Sequence, residues 1–197
     1  MFCYQCQETA KNTGCTKQGV CGKDPQLAKE LDNLVFECQE LSTLNHQLRL
    51  HKQDDLQASR MITEALFTTI TNSNFDKESV KTKIQYIRDK KHELKTRAHE
   101  NNIPLHNLKL TFLPPILGQS SILTEQDQDI RSLKQLIIYG LKGVAAYTSH
   151  AQRLGYEDNA IYSNLEEALS FTRKKETSKE QLLNWVKGVG ELGIKAM

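Results

Sequence analysis

Four cysteines fall within the first 21 residues of this chain: Cys3, Cys6, Cys15 and Cys21, in the spacing C-x2-C-x8-C-x5-C. Thiolates crowded in this way, with Gly14, Gly19 and Gly22 among them, tie a chain into a loop around a metal ion or an iron–sulfur cluster. Glycine permits close backbone approach and leaves its N–H free to point at sulfur. Lys11, Lys17 and Lys23 offer cations against the single acid Glu8. An anionic cluster needs both kinds of support. Asp24-Pro25 reads as the start of a helix, with Pro at its first position and the positive helix end toward the loop.

The spacing leaves alternatives open. A 4Fe–4S cluster and a four-cysteine zinc site both use C-x2-C pairs, but zinc sites usually present two close pairs, and the second half here is C-x5-C. Unligated or disulfide-paired thiols are the third reading. The fifth cysteine, Cys38, falls on an apolar helix face. It reads as a small buried residue, with a fifth ligand or redox thiol as the alternative.

Composition narrows the class. The 26 basic and 24 acidic residues give a net charge of +2, too close to balance to argue for nucleic acid or a membrane surface. No stretch approaches the ~20 apolar residues of a membrane span. Cysteines begin at the third residue, where a secretory signal would need a basic start and an apolar run. The expectation is a cytoplasmic, reducing location, where clustered cysteines bind metal more often than they pair.

Residues 24–197 read as helix. Leu27, Leu31, Leu34, Cys38, Leu41 and Leu48 recur at three- and four-residue steps, predicting a helix over 25–51. A second spans 55–71, with Ile62, Ala65, Leu66 and Ile70 inward, and is broken at Asn72-Ser73-Asn74. Asp76 caps a third, to residue 99, on Val80, Ile84, Ile87, Leu94 and Ala98. Its Lys81, Lys83, Arg88, Lys90, Lys91, Lys95 and Arg97 read as a solvated basic face, able to dock an acidic electron donor. His92, His99 and His106 read as surface residues. A connector over 103–126 carries Phe112, Leu113, Ile116 and Leu117, which need cover; they lie across the helices or mark the surface of further domains.

The second half repeats the pattern. Ile130, Leu133, Ile137, Leu141, Val144, Thr148 and Ala151 line a long helix that stops at Gly155. Gly140 and Gly143 inside it predict close approach of another backbone. Asp158 starts the next helix, with Ile161, Leu165, Ala168 and Leu169 inward. Ser178-x-x-Gln181 reads as a capping box for the last, and Trp185 as a core or interface anchor. Leu31-Asp32-Asn33-Leu34-Val35 matches Leu133-Lys134-Gln135-Leu136-Ile137 at an offset of 102 residues. The expected architecture is all-α: a single domain over 1–197, divided into the cysteine loop (1–23), a first three-helix bundle (24–102), the connector (103–126) and a second three-helix bundle (127–197) related to the first as a pseudo-repeat. Helix still runs at Met197, which fits a natural short form, an isolated domain and a fragment alike.

The opening Met1-Phe2-Cys3-Tyr4-Gln5-Cys6-Gln7-Glu8-Thr9-Ala10, with Gly14-Cys15-Thr16-Lys17 and Gly19-Val20-Cys21-Gly22-Lys23, resembles the amino terminus of the hybrid-cluster proteins, also called prismane proteins or hydroxylamine reductases. The resemblance resumes at Asp129-Ile130-Arg131-Ser132-Leu133, at Leu136 through Tyr147, at Leu154 through Asp158 and at Gly190 through Met197. It implies that Cys3, Cys6, Cys15 and Cys21 bind a conventional 4Fe–4S cluster. In that family the cluster feeds electrons to a second, mixed cluster for reduction of hydroxylamine to ammonia, or of a related nitrogen oxide. Family members are far longer, and the resemblance is to their first helical domain only. Ligands of the second cluster lie in later domains, so no catalytic residue is assigned here. The implied partners are the missing catalytic domains or a separate catalytic polypeptide, and a redox electron donor.

Overall fold

Five aspartates and one serine set where the helices begin. A computed structural model describes residues 1–4, 6, 8–70, 74–108, 110 and 120–197, and among them the helices are α1 (Pro25–Leu50), α2 (Leu56–Thr68), α3 (Lys77–Glu100), α4 (Gln128–Arg153), α5 (Asn159–Phe171) and α6 (Lys179–Ala196). The Asp24 carboxylate accepts from the Leu27 amide at 2.9 Å, Asp55 from Ala58 at 2.8 Å, and Asp158 from Ala160 at 2.7 Å. Asp76 and Asp127 each take two first-turn amides, and Ser178 with Gln181 closes the expected capping box. Such caps contribute about 1 kcal/mol each, by satisfying amides that have no helical partner. No strand is present among the described residues beyond one isolated bridge in the cysteine loop.

The two halves are a repeat in three dimensions. The first two helices of each half are 26 and 13 residues long. Within a half the first helix packs on the third; across the halves α1 packs on α5 and α4 packs on α2, a reciprocal exchange. The two three-helix bundles therefore share one apolar core with members from all six helices. The structure shifts the register by one residue from the sequence match. Buried Leu27, Leu34, Cys38, Leu41 and Asn45 correspond to buried Ile130, Ile137, Leu141, Val144 and Thr148, an offset of 103. Helical faces repeat by burial, not by identity.

At that register the seams differ. Between α1 and α3, Glu37 and Glu40 are fully buried and joined to Arg88, Lys91 and Arg173 at 2.5–2.8 Å. The corresponding α4 positions are Gly140 and Gly143. Lys90 and Lys91, expected on a solvated face, are in fact buried: Lys91 pairs with Glu37 and Glu40 of α1, and Lys90 with Glu93 of its own helix and, at 3.7 Å, Asp55. His92, His99 and His106 are exposed as expected. Trp185 packs on the core, its ring 5.4 Å from that of Phe171. Of the connector, Ile103 joins the core and Leu110 packs against it, while Phe112, Leu113, Ile116 and Leu117 lie outside the described residues, as does most of the expected break at 72–74.

Gly140 is where α6 comes close: a Cβ there would lie 2.7 Å from Val189 Cγ1, whereas one on Gly143 would meet nothing within 4 Å. Gly143→Ala is therefore expected to raise stability by about 1 kcal/mol, the helix-propensity difference. Gly140→Ala is expected to lower it, since overpacking costs about 1–3 kcal/mol and outweighs that gain. Urea unfolding midpoints of the two variants check the contrast.

Candidate metal centre

The cysteine loop is folded by backbone hydrogen bonds. Cys3 and Cys15 exchange both of theirs, at 3.1 and 2.7 Å, as an antiparallel bridge. Directly opposed residues in such a pair project their side chains to one face, with Cβ atoms about 4.5–5.5 Å apart, so these two thiols share a side. Between them the chain reverses through Lys11 and Asn12, both left-handed at φ 55° and 57°. Cys6 begins a turn in which its carbonyl accepts from the Thr9 amide at 3.2 Å. Cys21 lies in a second turn, closed by Gly22 N–H to the Gly19 carbonyl at 2.9 Å and by Gly19 N–H to the Lys23 carbonyl at 2.8 Å.

Two glycines are required by contact. At Gly14, φ is 151° and a Cβ would lie 2.6 Å from the Phe2 ring. At Gly19 a Cβ would lie 3.0 Å from Cys21 Sγ. The first lets the Phe2 ring pack against the Gly14 backbone; the second leaves room for Cys21 Sγ.

Cys15 is buried, while Cys3, Cys6 and Cys21 are half-buried, and no disulfide joins any of the five thiols. The backbone amides of Ala10 and Val20 donate toward Cys15, and they hold its thiol below the ordinary value against the opposing effect of burial, with help from Lys23. Hydrogen bonds to a thiolate favour the charged form, which is the form that binds metal. Cys38 has the opposite setting: it lies in the core, where burial pushes its thiol up.

Charge reaches the loop from the scaffold. Of the three lysines expected to serve it, Lys11 and Lys17 are exposed and only Lys23 is buried. The second buried cation is Lys142, in the middle of α4, which the sequence reading missed. Its signal was present: Lys142 lies in step with Ile138, Ala145 and Ser149, which are buried too. Burial lowers the Lys142 ammonium to about 8, against the pull of Asp32. Burial raises the carboxyl of Asp32, on α1, to about 7, against the pull of Lys142, Lys23 and the N-terminal amine. Lys142 also borders a cavity of about 410 Å³ shared with Tyr4, Cys6, Leu136 and Tyr139.

The four candidate ligands do not converge on a point. Among the described residues no three of His, Cys, Asp and Glu are grouped so as to hold one metal ion. Cys3 and Cys15 are brought together by the bridge, Cys6 opens onto the cavity, and Cys21 has its own turn. At the same time no helix of the described residues is long and apolar enough to cross a membrane.

The Prismane/CO dehydrogenase family matches residues 1–197. A hydroxylamine reductase of Bacteroides fragilis is 38% identical over 200 residues, covering 100% of this chain and 37% of the relative. One from Porphyromonas gingivalis is 42% identical over 206 residues, covering 100% and 38%. One from Petrotoga mobilis is 35% identical over 214 residues, covering 100% and 39%. The chain thus spans less than two-fifths of the length of these relatives, corresponding to their N-terminal region. With the family matched from the cysteine loop to the end of α6, the chain belongs to the Prismane/CO dehydrogenase family.

Proposed function

We propose that Cys3, Cys6, Cys15 and Cys21 bind one 4Fe–4S cluster, and that the chain is the electron-transfer region of a hydroxylamine reductase-like protein. The observation that carries this is the setting of Cys15: a buried thiol bridged to Cys3, approached by two backbone amides and a buried lysine. That is the environment an anionic cluster asks of its ligands.

When bound, the cluster supplies a one-electron carrier. The chain's residues do the rest: the loop holds the thiolates, the Ala10 and Val20 amides stabilise negative charge at sulfur, and Lys23 and Lys142 exclude water while balancing charge. Reduction of hydroxylamine to ammonia and water takes two electrons and two protons. We assign that chemistry, or the reduction of a related nitrogen oxide, to polypeptide beyond this match, whether in the same chain or a separate one, with a redox donor on the other side. Five thiols outside any disulfide suit a cytoplasmic, reducing compartment.

Anaerobic reconstitution tests the reading. About four irons and four acid-labile sulfides per chain, with a broad visible absorbance that bleaches on reduction, are expected for this ligand set. One tightly bound zinc and no colour after the same treatment would make the loop a structural zinc site instead. The reconstituted chain by itself is expected to show no hydroxylamine turnover; turnover comparable to that of the longer relatives would place the catalytic centre within these residues.

A further inference from the structure

Of the loop's own lysines only Lys23 is buried. Lys11 and Lys17 face solvent, and the buried cations are Lys23, at the loop's end, and Lys142, brought in from α4 at 4% exposure. Lys142 is held from the far side: its Nζ donates to the Thr69 carbonyl, 3.2 Å away, where α2 ends. That anchor sets the ammonium between the seam of the two bundles and the loop, and it borders the same cavity as Tyr4 and Cys6. Its electrostatic neighbours are Asp32, Lys23, Cys3 and Cys38. Asp32, in turn, is within electrostatic reach of Lys142, Lys23 and the N-terminal amine. One positive side chain from α4, near Cys3, and one negative side chain from α1 thus lie within electrostatic reach of each other.

We propose that Lys142 and Asp32 set the reduction potential of the group held by the cysteine loop, Lys142 raising it and Asp32 lowering it. The inference rests on the reading that the four cysteines hold a cluster. The physics is Coulombic. Reduction adds one negative charge to an already anionic group. A buried cation stabilises the reduced state more than the oxidised one, and a nearby carboxylate does the reverse. Screening is weak at Lys142, which is buried, and stronger at Asp32, which is half-buried. Each of α1 and α4 contributes one such residue. The reading also gives Lys142 a reason to lie on an inward stripe that could have been apolar throughout.

The test is a potentiometric titration of the reconstituted 197-residue chain with dithionite and mediators at pH 7.5, followed by visible absorbance and by the reduced-state paramagnetic signal. At the wild-type midpoint, Lys142→Met is expected to shift the oxidised-to-reduced ratio at least tenfold toward oxidised, which is 59 mV for one electron. Asp32→Asn is expected to shift it toward reduced. Lys142→Arg, which keeps the charge, stays within about twofold of wild type, as does Lys17→Met, an exposed lysine close to Cys15 in sequence. Iron content and helical circular dichroism accompany each variant. Should Lys142→Met fail to take up iron, the sign of the Asp32→Asn shift decides. Midpoints within twofold of wild type for every assembled variant among Lys142→Met and Asp32→Asn overturn the proposal. A wild-type chain with no redox wave at all overturns the cluster reading beneath it, which is a different result.

Discussion

Cys15→Ser is expected to leave the chain nearly free of iron after anaerobic reconstitution, while Cys38→Ser retains the wild-type amount. Cys15 has the most organised setting of the four loop thiols. It is buried, it pairs through backbone with Cys3, and the Ala10 and Val20 amides point at it. A serine hydroxyl is shorter and does not ionise in the range where these donors hold a thiolate, and a hard oxygen is a poor ligand for a soft site. Iron per chain should fall from about four to less than one. The scaffold should survive, because Cys15 is not a member of the apolar core shared by the helices; an unchanged helical dichroism spectrum separates loss of a ligand from loss of fold. Cys38 is the control with the opposite weakness. It is wholly buried in that core, so a hydroxyl there costs about 1–3 kcal/mol of stability and no iron. Full iron in Cys15→Ser would remove this residue from the ligand set.

The helices were legible because their signals are local. Asp24, Asp76, Asp158 and Ser178 each mark a boundary within a few residues of an apolar stripe, and the expected spans 25–51 and 76–99 end within a residue or two of Pro25–Leu50 and Lys77–Glu100. The second helix stops earlier than expected, at Thr68, because the Thr69 amide and hydroxyl both turn back onto preceding carbonyls. What was not legible is long-range. Identity between Leu31–Val35 and Leu133–Ile137 put the repeat one residue out, since strings of leucine match equally well on neighbouring registers; only burial distinguishes them. Lys91 and Lys90 look like their exposed neighbours Lys81 and Lys95 until α1 is placed beside them. Lys142 lies on an inward stripe, but that stripe does not say that Tyr4 and Cys6 of the loop border the same cavity. The cysteines announce a site by spacing, but the charges that surround the site come from residues whose sequence position says nothing of their distance.

Lys91→Met is expected to destabilise the chain by about 3–5 kcal/mol, the cost of removing one member of a buried ion group. Lys91 is 1% exposed and bridges two carboxylates that are wholly buried, at 2.5 Å from Glu37 and 2.6 Å from Glu40. Without it, Glu37 keeps Arg88 and Glu40 keeps Arg173, each arginine partly open to water. The two carboxylates are one turn apart on α1, so their mutual repulsion is then opposed from the edges alone. A domain of ordinary stability, about 5–15 kcal/mol, would lose a large share of it. Replacing Glu37, Glu40, Arg88 and Lys91 together by apolar residues of similar size should cost less than the single change, because no buried carboxylate is left uncompensated and Arg173, which loses Glu40, is partly open to water. The second half supports that comparison at one position: Gly140, the α4 equivalent of Glu37, closes on Val189 with no charge. Urea unfolding of the wild type, Lys91→Met and the fourfold variant ranks them in that order of interest. A fourfold variant less stable than Lys91→Met would mean that the ion group holds α1 against α3 by net attraction, and that apolar packing cannot replace it at this seam.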